Sequence, residues 1–207
     1  MSIFNKSGST EQHGNEPHPF FKRVVDRLPP GRLLLLSESV NRYAVYAAEA
    51  GWRVHAIGFS KDDQERTLAL ADQAHEKNIS FSLYQPNTPF CQGLEFDAAV
   101  LMYAQLPPDI RRSFHQAVVN CLKPDGGNLY LLAYSENQPE NTTAYLPDVR
   151  YRKADLMEDF TGLQIDLLQE EEETLPDTDQ KVSLIHLTAV RNSEYDGSDS
   201  VSFSVKG

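Results

Sequence analysis

The chain has 207 residues, of which 40% are apolar and 24% are charged, and its formal net charge is −11 at pH 7. This length and composition are typical of one globular α/β domain and argue against wholesale disorder. The acidic balance argues against nucleic acid as a partner, because binding to a phosphate backbone needs clustered Lys and Arg. No apolar run approaches the roughly 20 residues that cross a bilayer, so no membrane partner is predicted.

The cysteine content and the N-terminal residues bear on the cellular compartment. The chain has 2 cysteines, Cys91 and Cys121, which do not make a disulfide framework or a close zinc-binding pair. We interpret both as reduced, inert side chains, with Cys121 buried on its helix. No basic segment followed by an apolar one marks a secretory signal, so the sequence predicts a cytoplasmic protein.

Hydrophobic periodicity predicts short strands that alternate with helices. In chain order the predicted elements are a helix over Phe20–Leu28, a strand over Arg32–Leu36, a helix over Asn41–Ala50, a strand over Arg53–Ile57, a helix from Ser60 to about Lys77, strands over Ile79–Tyr84 and Phe96–Met102, a helix over Pro107–Leu122, a strand over Asn128–Tyr134, a short helix over Ala154–Phe160, and long strands over Leu163–Leu175 and Lys181–Arg191. This alternation predicts a parallel sheet with helices on both faces. The short link Pro176–Asp179 makes the last two strands antiparallel.

The ends of the chain differ from the middle in composition. Residues 1–16 are polar and read as a leader, and residues 17–191 form the predicted domain. The polar tail 192–207 contains Val201, Phe203 and Val205 in strict alternation. A linker and an added edge strand are both open interpretations of this tail.

A ligand site is expected where the strand order reverses. In an open parallel sheet, ligands bind beyond the carboxyl ends of the strands near that point. The segments concerned are the loop Ser37–Arg42, the end of the second strand at Gly58–Ser60, the loop Gln85–Asn87 and the end of the fourth strand at Met102–Gln105.

Four stretches of the sequence carry a family resemblance. They are HPFFKRVVDRLPPGRLLLL, NRYAVYAAEAGWRVHAIGFS, FDAAVLMYAQLPPDIRRSFHQAVVNCLKPDGGNLYLLAYSENQ and YRKADLMEDFTGLQI. In this order they resemble the class I S-adenosylmethionine (SAM)-dependent methyltransferases, and in particular small bacterial enzymes related to the tellurite-resistance methyltransferases. The resemblance covers about residues 17–191. It implies a Rossmann-like α/β fold with seven strands in the order 3-2-1-4-5-7-6, the seventh antiparallel.

The resemblance also implies a cofactor and its contacts. The cofactor would be SAM or S-adenosylhomocysteine, and a small molecule would be the partner. The implied cofactor-binding positions are Ser37, Glu38, Ser39, Asn41, Arg42, Gly58, Phe59, Ser60, Asn87, Met102, Tyr103 and Gln105. No catalytic residue and no metal site is predicted.

The cofactor loop departs from the family pattern. The family carries Asp and then Gly-x-Gly-x-Gly after its first strand, where this chain has Leu35 and then Ser37, Ser39 and Asn41. A serine in place of glycine adds a Cβ, which crowds a close backbone approach and disfavours positive φ. Glu38 adds a carboxylate that would repel the methionine carboxylate of the cofactor or pair with its amine or sulfonium.

Two acidic cofactor contacts are also replaced. The family has an acid that holds the ribose hydroxyls, and this chain has Gly58 at that position. The family has a second acid that accepts a hydrogen bond from the adenine amino group, and this chain has Asn87 there, whose amide oxygen can still accept. Losing the ribose carboxylate removes two charge-assisted hydrogen bonds of roughly 1.5–3 kcal/mol each. We therefore predict that SAM binding is weakened by about two orders of magnitude or more.

Each candidate residue also has an ordinary structural interpretation. Ser37 or Ser39 would simply cap the first helix of the domain. Tyr103 and Gln105 would be loop packing instead of pocket lining.

The remaining polar residues are assigned structural roles. We interpret His55 and His186 as satisfied strand residues and His115 as a surface or packing residue. The acidic run Glu170–Glu173 is interpreted as a solvated strand edge that opposes aggregation, and not as a metal site.

Three functions remain open at this point. The chain is a binding protein or pseudoenzyme with a changed cofactor site, an active SAM-dependent methyltransferase on a small molecule such as a thiol, metalloid or amine, or an interaction protein that uses a sheet edge. The first is favoured, because the departures fall on cofactor contacts while the scaffold pattern is intact.

Overall fold

Helices and strands alternate in the computed structural model, which describes residues 16–37, 40–85, 88, 90–91, 93–144, 146–175 and 179–194. The helices are α1 (Pro19–Arg27), α2 (Val40–Glu49), α3 (Lys61–Gln73), α4 (Pro108–Cys121) and α5 (Lys153–Asp159). The strands are β1 (Arg32–Ser37), β2 (Arg53–Gly58), β3 (Ile79–Leu83), β4 (Ala98–Met102), β5 (Gly127–Tyr134), β6 (Gln164–Thr174) and β7 (Lys181–Arg191). Every predicted element is present, within a few residues of its predicted bounds.

The strands form one sheet in the order β3-β2-β1-β4-β5-β7-β6. Strands β1 to β5 pair in parallel, and β7 runs antiparallel to both β5 and β6. This confirms the predicted order and the antiparallel seventh strand.

Two element boundaries differ from prediction for local reasons. The helix predicted to run to about Lys77 ends at Gln73, because Ala74 caps it and His75 adopts a left-handed φ of 57°. Strand β4 begins at Ala98, since Phe96 forms only an isolated bridge to Leu122. Both differences lie within the uncertainty of helix and strand ends.

Alternate residues of the central strands point to opposite faces of the sheet and form two apolar layers. Leu33 and Leu35 pack with α1 and α2 on one face, whereas Leu34 and Leu36 pack with α4 and α5 on the other. Strands β1 and β4 are buried on both faces, which is why their sequences are continuous apolar runs.

Helix α1 begins at a histidine cap. The Nδ1 atom of His18 accepts a hydrogen bond from the Phe20 backbone N–H at 3.1 Å, and Pro19 opens the helix. Phe21 and Val25, one turn apart, bury their side chains against the sheet. The capping bond fixes the ring of His18, and its Nε2 faces away from the helix end.

A buried ionic network joins α4 to α5. Arg111 Nε donates to Asp159 Oδ2 at 2.7 Å, and Nδ1 of His115 lies 2.8 Å from the same oxygen. His115 is fully buried, so a surface position for it is wrong and the packing interpretation holds. Burial would raise the pKa of the Asp159 carboxyl, but the hydrogen bonds from His115 and Arg111 hold it below its usual range. Burial also lowers the pKa of His115.

We predict that Asp159→Asn destabilises the protein by about 3–5 kcal/mol at pH 7, because it leaves the buried partners of the carboxylate uncompensated. Urea unfolding measures this. A carboxylate with a lowered pKa stabilises the fold above its unfolded pKa and stops doing so as the pH falls through its folded value. The difference between wild type and variant should therefore shrink below about pH 4.

The exposed neighbour Glu158 supplies the control for this network. Glu158→Gln removes the same charge from the same helix and should change the free energy of unfolding by less than about 0.5 kcal/mol. Equal effects of the two substitutions would contradict the assignment.

A disulfide bond joins Cys91 to Cys121. The two Cα atoms lie 5.8 Å apart although 30 positions separate them in the chain, a distance suited to a disulfide. The prediction of reduced, unpaired cysteines is therefore wrong. Strand β4 and helix α4 lie between the two cysteines in the chain and run in opposite directions, which brings Cys121 back beside Cys91. The spacing of the cysteines in the sequence does not reveal this arrangement. The cytoplasmic location stays a prediction, without the support that reduced cysteines gave it.

We predict that reducing this disulfide lowers the free energy of unfolding by about 3–4 kcal/mol, because it releases a closed loop in the unfolded chain. Urea unfolding with and without a phosphine reductant measures the change. The double variant Cys91→Ser/Cys121→Ser should not respond to reductant. Unchanged stability of the wild type, with both thiols shown to be free by mass spectrometry, would refute the prediction.

Some sequence-based predictions concern the chain ends and membrane spans. The leader up to residue 15 and the tail from residue 195, with its alternating Val201, Phe203 and Val205, lie outside the described residues. Their assignments stay predictions. Among the described residues, no helix is both long enough and apolar enough to span a membrane.

Candidate functional site

The strand order reverses between β1 and β4, and the predicted site lies at the carboxyl ends of these strands. Ser37 pairs with Met102 across the two strands, and both side chains are buried. Gly58 ends the neighbouring strand β2. The fold therefore brings these three predicted positions to one edge of the sheet.

The loop that follows β1 is described only in part. Glu38 and Ser39 lie outside the described residues. Asn41 and Arg42 fall in the first turn of α2 and are half-buried. The guanidinium carbon of Arg42 lies 5.3 Å from the centre of the Tyr43 ring, close enough for a cation–π contact.

A neighbouring ring packs against Gly58, the position at which the family resemblance implies an acid. A Cβ placed on Gly58 would lie 2.3 Å from Cζ of Phe81, in the adjacent strand β3. Non-bonded carbon atoms do not approach each other this closely, so any side chain at position 58 requires the Phe81 ring to move. Glycine is thus compatible with this packing, whereas a larger residue requires the half-buried Phe81 side chain to shift.

The other predicted residues of this edge have structural partners. Ser60 caps α3 by accepting from the Asp63 backbone N–H. The Phe59 ring lies 5.5 Å from the Tyr84 ring. Asn87 lies outside the described residues, so its suggested contact with adenine stays a prediction.

Tyr103 follows β4 in an unusual backbone conformation. Its φ is 54°, in the left-handed region that non-glycine residues rarely occupy, and its side chain is buried. Its ring centre lies 5.4 Å from that of Tyr134 and 6.0 Å from that of His18. Burial raises the pKa of the Tyr103 hydroxyl well above its ordinary value, so the hydroxyl stays protonated at neutral pH. Strained backbone of this kind is a reason to suspect function at a site.

Gln105 is held by the protein backbone. Its Nε2 donates to the carbonyls of Tyr134 and Val149 at 3.0 and 2.8 Å, and its Oε1 accepts from the Tyr134 N–H at 3.0 Å. The amide therefore ties the end of β5 to the segment that precedes α5, and its role in ligand binding stays a prediction.

We predict that Gln105→Leu lowers the free energy of unfolding by at least about 2 kcal/mol. It leaves the Tyr134 N–H and the Val149 carbonyl without the amide of Gln105, at about 1–3 kcal/mol for each unsatisfied group, while the Tyr134 carbonyl still accepts from the Tyr151 N–H. Urea unfolding measures the loss. Gln164→Leu, at an exposed position of β6, is the control and should be nearly neutral. A Gln105→Leu variant as stable as the control would show that these bonds contribute little.

One cluster of ionisable side chains was not predicted as a site. Glu173 lies between two histidines: its Oε2 is 2.9 Å from His18 Nε2, and its Oε1 is 2.7 Å from His186 Nε2. Burial alone would raise the pKa of Glu173, but contacts with His18 and His186 lower it to about 2. Glu171 extends the cluster, with Oε2 at 3.9 Å from His186 Nε2. The cluster lies on the α1 face of the sheet, beside Tyr103.

This cluster corrects the interpretation of the acidic run. Successive strand residues point to opposite faces, so Glu171 and Glu173 share one face and Glu170 takes the other. There Glu170 Oε1 accepts from the Ser135 and Ser183 hydroxyls at 2.7 and 2.9 Å. The run does lie on an edge strand, but Glu170 and Glu173 are paired, not merely solvated. The period-2 spacing of Glu171 and Glu173 was the available signal, whereas His18, 155 positions from Glu173, had none.

Several solved structures with this fold are methyltransferases. TehB from Haemophilus influenzae has a TM-score of 0.70 at 15% identity, over 86% of this chain and 63% of TehB. A SAM-dependent methyltransferase from Methanosarcina mazei has a TM-score of 0.67 at 15% identity, over 86% of this chain and 100% of that one. The cyclase SpnF has a TM-score of 0.63 at 17% identity, over 83% of this chain and 79% of SpnF.

This chain has the fold of the class I SAM-dependent methyltransferases. The implied strand order is the observed one, and the structural likeness extends over most of the chain. No protein-family model matches the sequence, and no curated protein matches it either. At these low identities the likeness establishes the fold, and activity has to be argued from the site.

Proposed function

We propose that this chain is a methyltransferase-fold binding protein whose affinity for SAM is weak or lost. The observation that carries the proposal is the packing of Phe81 over Gly58, where the family resemblance expects the ribose-binding acid. The two charge-assisted bonds of that acid contribute roughly 1.5–3 kcal/mol each. Without them, the dissociation constant rises by about two orders of magnitude or more.

The surroundings of the cofactor position support the same conclusion. The Phe81 ring lies where a side chain at position 58 would begin. Tyr43, Tyr103 and Tyr134 are buried near the neighbouring switch point, so bulky aromatic side chains surround the position at which the resemblance places the cofactor.

An active methyltransferase is the second candidate, and the structural neighbours favour it. Methyl transfer needs mainly the in-line positioning of donor and acceptor, so the lack of an evident catalytic base does not oppose activity. SAM would then bind through backbone contacts and Asn87. The same fold also hosts reactions other than methyl transfer, because the structurally similar protein SpnF is a cyclase.

An assembly role through the sheet edge has less support. The exposed edge strand β6 carries consecutive glutamates, and charged side chains on an edge oppose pairing with a second chain. The alternating tail residues lie outside the described part of the chain and offer no argument in either direction.

Calorimetric titration with SAM and S-adenosylhomocysteine tests the proposal directly. We expect no binding, or a dissociation constant in the millimolar range. A thermal-shift assay gives a second readout, because ligand at about 100 times its dissociation constant stabilises a protein by roughly 2.7 kcal/mol. Micromolar binding of either compound would overturn the proposal and favour the active enzyme.

Restoring the acid tests the physical reason for the loss. The double variant Gly58→Asp/Phe81→Leu supplies the carboxylate and removes the ring that excludes it. We expect it to bind SAM at least about tenfold more tightly than the matched Phe81→Leu variant, since one recovered charge-assisted bond is worth that much. Equal affinities of the two variants, with both shown to be folded by circular dichroism, would show that the ribose acid is not the missing contact.

A further inference from the structure

We propose that Glu171, Glu173 and His186 form a binding site for a divalent first-row transition-metal ion such as Zn²⁺, with His18 orienting Glu173. One donor atom from each of the three ligands lies within 4.8 Å of the others. Two carboxylates match the charge of a divalent cation, and an imidazole selects borderline metals such as Zn²⁺ over Mg²⁺. This site does not depend on whether SAM binds.

The strand register builds the ligand set. His186 on β7 lies opposite Gln169 on β6, and Glu171 and Glu173 follow at period 2 on the same face. The ligands thus come from two adjacent, hydrogen-bonded strands and not from loops. Rigid strands hold ligands in place more precisely than loops do.

The buried Nε2 atom of His186 needs a proton or a cation where it faces Glu173. Its side chain is only 5% exposed, and its Nε2 is buried without a well-aligned hydrogen bond. Yet Glu173 Oε1 lies 2.7 Å from this atom. An imidazole lone pair and a carboxylate oxygen repel each other at this distance unless a proton or a cation lies between them.

His18 leaves one oxygen of Glu173 available. Because His18 Nδ1 accepts from the Phe20 N–H, the proton of a neutral His18 ring is on Nε2, which donates to Glu173 Oε2 at 2.9 Å. That bond orients the carboxylate and directs Oε1 toward His186. Partners of this kind commonly hold the ligands of a metal site, and their loss costs about 10–100-fold in metal affinity.

The surroundings favour a bound cation with an open coordination position. The Phe20 ring centre lies 5.2 Å from that of His186 and covers one side of the site. Glu171 is half exposed, which gives a path from solvent. Three protein ligands leave the fourth tetrahedral position to water or to a small anionic ligand, as in zinc sites that bind substrates.

Titration of the full chain with Zn²⁺ tests the proposal. The protein is treated with a chelator, dialysed, and titrated calorimetrically with Zn²⁺ alone and then with Mg²⁺. We expect one Zn²⁺ per chain with micromolar affinity or better, and at least about 100-fold weaker binding of Mg²⁺. Absence of Zn²⁺ binding at micromolar protein would overturn the proposal and leave a hydrogen atom, not a metal ion, between His186 Nε2 and Glu173 Oε1.

A matched pair of variants locates the site. Glu171→Gln removes an exposed ligand and should weaken Zn²⁺ binding at least about tenfold. Glu172→Gln removes the same charge from the adjacent residue, whose side chain points to the other face, and should change the affinity less than about twofold. Equal effects of the two substitutions would mean that Zn²⁺ responds only to surface charge, which would refute the site.

Substitution of His186 and His18 completes the test. His186→Asn should abolish the visible absorption that Co²⁺ shows when an imidazole and carboxylates hold it at low coordination number. His18→Gln keeps a side-chain donor and should retain more metal affinity than His18→Ala. Far-ultraviolet circular dichroism checks that the variants are folded. An unchanged Co²⁺ spectrum in a folded His186→Asn variant would exclude His186 as a ligand.

Discussion

The placement of β7 between β5 and β6 is the constraint on which the ionisable cluster around Glu173 depends. This antiparallel strand pairs along its length with both neighbours. It moves β6 to the edge of the sheet and carries the buried His186 into the interior of the α1 face. The acidic residues of β6 then meet a histidine from the next strand, and the cap of α1 supplies a second one.

The two faces of the sheet use a similar solution for buried charge. On the α1 face Glu173 lies between His18 and His186, and on the α4 face Asp159 lies between Arg111 and His115. A buried carboxylate is tolerated only when hydrogen bonds or positive charge compensate for lost solvation. The difference between the faces is exposure. Asp159 is sealed between two helices, whereas Glu173 and Glu171 reach solvent, so only the second cluster is open to a ligand from outside.

The helices and strands were predictable because their signals are local, whereas the order of the strands was implied by the family resemblance. Continuous apolar runs identified β1 and β4, prolines marked the start of α4, and the short link after β6 made β7 antiparallel. The site was less predictable because its contacts are distant in the chain. His18 and Glu173 are 155 positions apart, and the cysteines of the disulfide are separated by 30. Residue types and spacings do not encode such contacts, which arise only after the sheet has been assembled.

The same separation of scales explains how a fold of this kind tolerates changes at its strand ends. The core layers are formed by side chains of β1, β4 and the helices. A residue at a strand end can therefore change without loss of the sheet, provided that its neighbours fill the volume. Phe81 packs beside Gly58 in this way, and a larger side chain at position 58 requires its ring to move. Glycine at position 58 and the aromatic ring at position 81 are thus coupled through packing, so a substitution at one of them acts on the other.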